Sequence, residues 1–264
     1  MKKYLLHTLY STLSICSLSL LVLCAACTEQ DGLPSADPQP LTLAISETVP
    51  FVEVTGNSNT RIADSGTTLT WENGDKIYLA ATITLNGTTT YAYSTATYTI
   101  SGSTGTWSDP DPALSVPSGA TVKIEAIYTN GTLSGNIMTL TEKNIVMKAT
   151  STNITITAST AAIPLKFKSE LVRLDITGIS NTNTALANID IPQSIDTQPA
   201  NGSFSITHAI VGSAKELTTN EVYYVFPGSI TFMAKNPPKL VQILYSDVVA
   251  NQSYPIDMGP DSGT

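Results

Sequence analysis

Cysteine is confined to the start of the chain: Cys16, Cys24 and Cys27 are the only three in 264 residues. Whatever folds beyond them does so without a disulfide of its own, by burial alone. Histidine is almost as scarce. His7 lies in the same opening stretch and leaves only His208, so a His-based metal cluster and an H-E-x-x-H helix are excluded, and nucleophile–base pairs have little to draw on. A lone His between Thr207 and Ala209 reads most simply as a strand residue. There is no G-x-S-x-G and no glycine-rich loop opening a helix. Charged residues make up only 13%, and arginine occurs twice, at Arg61 and Arg173. With 21 acids against 13 Lys and Arg, the formal net charge is −8. That sign argues against nucleic acid or an anionic lipid face as a partner. Nothing calls for a cofactor. An enzyme is the weakest class, because beyond carboxylates few acid–base groups remain, and a glycosidase-like pair needs two of them facing each other.

What is present begins with a leader. Met1-Lys2-Lys3, an apolar stretch from Leu18 to Leu23 and the ending Cys24-Ala25-Ala26-Cys27 make a short basic start, an apolar middle and small residues before a cut. The segment is too short and too rich in Ser for a bilayer span. Its end resembles a bacterial lipoprotein signal, with Cys24 where such signals usually carry Leu. The resemblance implies that Cys27 becomes the lipidated N-terminus and that the body sits outside the cytoplasm, held at a membrane by its acyl chains. Residues 28–40 are polar, with three prolines and no periodicity, and read as a flexible tether.

The composition of the body, rich in Thr, Val, Ile and Tyr, predicts an all-β fold. Period-2 alternation is explicit at Ile77, Leu79, Ala81 and Ile83 and again at Val122, Ile124, Ala126 and Tyr128, each a half-buried strand. Asn-Gly pairs at 73–74, 86–87, 130–131 and 201–202 suit two-residue hairpin turns. The 237 residues after Cys27 suffice for two tandem antiparallel β-sandwiches of transthyretin or immunoglobulin type, 41–162 and 163–264. Near that boundary the apolar phase changes, from Leu165 and Phe167 to Val172, Leu174 and Ile176. Either a bulge or a junction between strands lies near Ser169. Tyr91, Tyr93, Tyr98 and Trp107 read as core or cross-strand packing ahead of a sugar platform. Asp109-Pro110-Asp111-Pro112 reads as a turn ahead of a calcium loop.

Residues 60–79, TRIADSGTTLTWENGDKIYL, resemble a stretch near the N-terminus of the fimbrillin family, the Mfa-like subunits of type V pili in Bacteroides-type bacteria. The matching residues are Thr60-Arg61, Trp71, Gly74-Asp75 and Ile77. Residues 163–178, IPLKFKSELVRLDITG, are similar to the family's strand entering the C-terminal domain, with Lys168 where many members carry His. The resemblance implies export as a lipoprotein to the outer membrane, proteolytic removal of the anchored N-terminal strand, and filling of the uncovered groove by a strand of another subunit. Arg61 is the candidate cleavage site, with a solvated loop residue as the alternative. Tyr254, Ile256 and Met258 alternate as a donor strand would, although Pro255 interrupts the backbone donors; the same segment also reads as the last strand of the second domain.

The partners implied are other pilus subunits, the membrane through the lipid, and a ligand on host or bacterial surfaces. The product that the resemblance implies is a structural or tip subunit of a fimbrium. The competing reading is an outer-membrane lipoprotein that keeps its anchor and binds glycans through exposed aromatics.

Overall fold

A computed structural model describes residues 38–46, 50–53, 70–179, 185–234 and 245–258. Among them there is no helix, and twenty-one strands follow one another. The first part of the chain contributes β1 (Pro38–Pro40), β2 (Leu43–Ile45), β3 (Val52–Glu53), β4 (Lys76–Leu85), β5 (Thr88–Ser101), β6 (Thr104–Trp107), β7 (Ser115–Pro117), β8 (Thr121–Thr129), β9 (Thr132–Ser134), β10 (Ile137–Thr139), β11 (Val146–Thr150) and β12 (Ile154–Thr155). The remainder contributes β13 (Ile163–Leu165), β14 (Lys168–Ser169), β15 (Val172–Ile179), β16 (Ala185–Asp196), β17 (Ile206–Glu216), β18 (Glu221–Val225), β19 (Gly228–Ala234), β20 (Tyr245–Val248) and β21 (Gln252–Met258). The described residues fall in one compact unit.

The largest sheet runs β14-β11-β8-β4-β5-β6, with β12 also on β8. Its long antiparallel centre follows from the two alternating segments. Ile77, Leu79, Ala81 and Ile83 from β4 face the same core as Val122, Ile124 and Ala126 from β8. Asn86-Gly87 joins β4 to β5 with Leu85 opposite Thr88, and both turn residues have positive φ, which glycine adopts without a Cβ penalty and Asn tolerates. Asn201-Gly202 lies within a longer loop joining the paired β16 and β17, and the other two Asn-Gly pairs do not join paired strands. Gly202 instead lets the backbone approach Tyr91, whose Cδ1 would lie 2.4 Å from an added Cβ.

The opposite face of this sheet is covered as well. Tyr78, Ala80, Ile127 and Val146 pack with Met138, Leu140, Leu171, Ile195 and Phe204, so β4 and β8 are buried on both faces. Alternation alone identified one face, because what covers the other comes from distant parts of the chain. A third cluster gathers Val172, Leu174 and Ile176 of β15, Ile189 and Ile191 of β16, Tyr223 and Val225 of β18, and Tyr254 and Ile256 of β21. It lies between a four-stranded sheet, β18-β15-β21-β3, and the sheet β20-β19-β16-β10-β9 with β17 on β16.

The phase change near Ser169 is a junction between strands. Phe167 belongs to the first cluster, Leu171 to the second and Val172 to the third. The buried Ser169 hydroxyl accepts the Leu171 amide at 3.1 Å and donates to the Leu171 carbonyl at 3.0 Å, which holds the chain as it crosses. Pairing is not purely antiparallel. β13 on β2, β15 on β21 and β21 on β3 are parallel. Such pairs need long crossovers, and here the partners lie far apart in sequence.

Candidate functional site

The N-terminal segment, residues 38–53, is bound in three separate places. Pro38–Pro40, the end of the stretch read as a tether, pairs with β7. Leu43–Ile45 pairs with β13, and Val52–Glu53 forms the outer strand on β21. Between the pairings the Leu41 amide donates to the Leu114 carbonyl at 2.8 Å, the Ile163 amide to Thr42 at 2.8 Å, and the Ser46 amide to Leu165 at 3.0 Å. Leu41 and Phe51 are buried in the first cluster, with Leu43 and Ile45 packed against it. Burying each of the first two contributes about 1.5–3 kcal/mol relative to exposure. Phe51 tilts against Tyr224, their ring centroids 6.1 Å apart. A cleft of about 100 Å³ lies beside Gln39–Thr42, against Ile156 and Ile163.

Asn251 ties this segment to the rest. Its Nδ2 donates to the Pro50 carbonyl at 3.0 Å, its Oδ1 accepts the Ser169 amide at 2.9 Å, and its own amide donates to Leu171 at 3.0 Å. It holds φ at 63°, a conformation Asn tolerates better than most residues. One side chain thus links the N-terminal segment, the strand junction and the start of β21. In the sequence Asn251 stands out only as part of Asn251-Gln-Ser, and nothing there signals a clamp.

Trp71, from the family-like stretch, sits edge-on to three rings: Trp107 at 4.9 Å, Tyr128 at 5.2 Å and Phe167 at 5.4 Å. Its Nε1 is buried and has no hydrogen-bond partner. Tyr128 donates to Asp75 Oδ1 at 2.9 Å. Burial first, and then that carboxylate, push the phenol pKa well above its ordinary value. The Glu72–Asp75 turn closes with the Asp75 amide on the Glu72 carbonyl at 3.0 Å. The stretch therefore works as an anchor and a turn at the entry to β4.

Cys27 and Arg61 lie outside the described residues. Arg173 does not: it is 7% exposed, on a strand flanked by β18 and β21, 3.0 Å from Asp175. Tyr254 and Ile256 are buried in the chain's own third cluster, and β21, which carries Met258 opposite Ile179, lies between β15 and β3. Tyr98 pairs with Trp107 at a ring distance of 5.2 Å, and Tyr93 is hydrogen-bonded to the Pro199 carbonyl. These aromatics serve packing. Asp111 forms a bridge with Thr95, and Ser94 donates to the Pro112 carbonyl at 2.6 Å, so the Asp-Pro stretch is a turn pinned to β5. His208 lies on β17, 2.8 Å from Asp190 and stacked on Phe226. Among the described residues no three of His, Cys, Asp and Glu converge as a metal site.

A charged node on the covered face of the large sheet was not foreseen. Glu125, 5% exposed, meets Lys148 at 2.9 Å and Lys123 at 3.1 Å, and accepts from the Ser203 hydroxyl at 3.0 Å and the Phe204 amide at 3.2 Å. Burial alone would raise its pKa, but the hydrogen bonds from Lys148 and Lys123, the Lys148 charge and Ser203 outweigh it and leave the carboxyl below its usual value. The node fastens the 203–204 loop to β8. Its only sequence signal is an acid within an alternating apolar strand.

No protein-family model matches the chain, and no curated protein does. The structure is similar to three solved structures of candidate cell adhesion proteins from Bacteroides. That from Bacteroides uniformis is 16% identical, with a TM-score of 0.40, over 71% of this chain and 88% of the other. The Bacteroides fragilis protein is 12% identical, with a TM-score of 0.38, over 82% and 91%. The Bacteroides thetaiotaomicron protein is 14% identical, with a TM-score of 0.37, over 87% and 98%.

Proposed function

We propose that this chain is a subunit of a type V pilus, exported as a lipoprotein through Cys27 to the outer membrane and matured by a cut after Arg61. Two tandem β-sandwiches, meeting between Phe167 and Val172, form its body. The cut releases the N-terminal segment, and a strand from another subunit occupies the exposed positions along β13 and β21. The observation that carries this reading is the way residues 38–53 are held. Three short pairings and two buried side chains bind them to a body whose main sheet is built without them. Arg61 lies in the connection between that segment and β4. Of the two arginines it is the remaining candidate, because Arg173 is buried on a strand flanked on both sides.

The engagement of Tyr254 and Ile256 in the chain's own core supports a tip or accessory position over a stalk position, since a stalk subunit must offer a strand to its neighbour. N-terminal sequencing of the protein recovered from the cell surface tests the reading. Ile62 as first residue, lost in an Arg61→Ala variant that also fails to assemble, is the expected result. A protein that still begins at lipidated Cys27 in assembled pili would overturn it.

A further inference from the structure

In a chain of net charge −8, one surface cleft carries three lysines. Lys148 lies on β11, Lys168 stands directly opposite it on β14, and Lys166 precedes Lys168 by two residues. Leu165 and Phe167 point into the first core, so the alternation of an extended chain sends Lys166 and Lys168 to the other side. Thr150 and Glu170 complete the polar lining of a cleft of about 400 Å³. Counting the lining residues, three lysines against Glu170 leave +2.

Like charges directly opposite in a ladder repel. Lys148 is relieved by Glu125 at 2.9 Å and by the Phe204 carbonyl at 3.1 Å. Lys166 and Lys168 make no ion pair among the described residues. Glu125 is already shared between Lys148 and Lys123. Two exposed cations therefore stand beside a third without an ion-paired acid, and Glu170 alone offsets them within the cleft, on a protein whose net charge is negative.

We propose that this cleft binds a saccharide bearing carboxylate or sulfate groups. The volume is in the range of small-ligand sites, and lysines neutralise such oxyanions as point charges. The lining also decides against a protein partner. Protein interfaces centre on buried aromatic or large apolar anchors, and this cleft offers none, with Ala149 its sole apolar residue. A saccharide is polar on every side and needs no such anchor. The inference rests on the cleft alone and holds whether or not Arg61 is cut.

The test is calorimetric titration of the purified chain, at low salt, with a heparin-derived tetrasaccharide and, separately, with an oligogalacturonate; polyglutamate of matched charge serves as the acidic-peptide control. Saturable binding of at least one saccharide is expected. It should weaken at least about tenfold in a Lys166→Gln/Lys168→Gln variant and with added salt. A Lys76→Gln/Lys143→Gln variant removes the same charge elsewhere and should bind within about twofold of the parent. No saturable binding of either saccharide, equal loss in both variants, or equally tight binding of polyglutamate would each overturn the proposal.

Discussion

The β4–β5–β8 centre and the N-terminal segment are held by opposite means. β4 and β5, ten and fourteen residues long, pair antiparallel from Lys76 opposite Thr97 to Leu85 opposite Thr88, and β8 flanks β4 on its other edge. Both faces of β4 and β8 are buried. The segment of β1, β2 and β3 uses strands of two or three residues on three different partners, two of them in parallel. Its attachment depends on a few side chains, Leu41, Phe51 and the clamp from Asn251. A centre joined by a hairpin is built from neighbours in sequence, whereas the segment is attached at dispersed points to partners far along the chain.

That contrast can be broken at several points. Phe167→Ala opens the aromatic cluster around Trp71 and should cost about 3–5 kcal/mol in denaturant unfolding, because the cavity lies at the centre of the first core. Leu41→Ala should cost about 2–4 kcal/mol, but its effect should be local. Hydrogen exchange should speed at the amides of Ile163 and Ser46 and leave those of β4 protected. Equal acceleration across both regions would mean that the segment and the centre unfold as one.

Glu125→Ala removes a charged node and should cost about 1.5–3 kcal/mol. Its pH dependence follows from the lowered pKa. The stabilisation is complete above the pKa of an unfolded glutamate, about 4.3, and is lost as pH falls through the lower folded value. The acid side of the stability profile should therefore flatten in the variant. Asn251→Ala should have the smallest effect, about 1–2 kcal/mol, seen as faster exchange at Ser169 with little change in the global transition.

Much of the centre was legible in the sequence. The alternating runs at 77–83 and 122–128 are strands facing one core, and the odd-to-even change after Phe167 marks the passage from one cluster to another. Local periodicity carries that information because each residue's neighbours on a strand are fixed by the pleat. The second buried face of β4 and β8 was not legible, since Leu171, Ile195 and Phe204 cover it from far along the chain. The same limit hid the parallel pairings of β2 and β3, the role of Asn251 and the lysine cleft, each assembled from residues distant in sequence. Tyr254 and Ile256 show the converse. Their alternation is a true strand signal, but a strand pattern does not say whether the strand fills its own core or a neighbour's.

The most direct measurement is limited digestion of the purified chain with an arginine-specific protease, followed by intact mass and sizing of the product. The account predicts one cut, after Arg61, with Arg173 spared, release of the preceding peptide, and a folded product that starts at Ile62. A product that keeps the cut peptide bound, or that unfolds once the segment leaves, would contradict it.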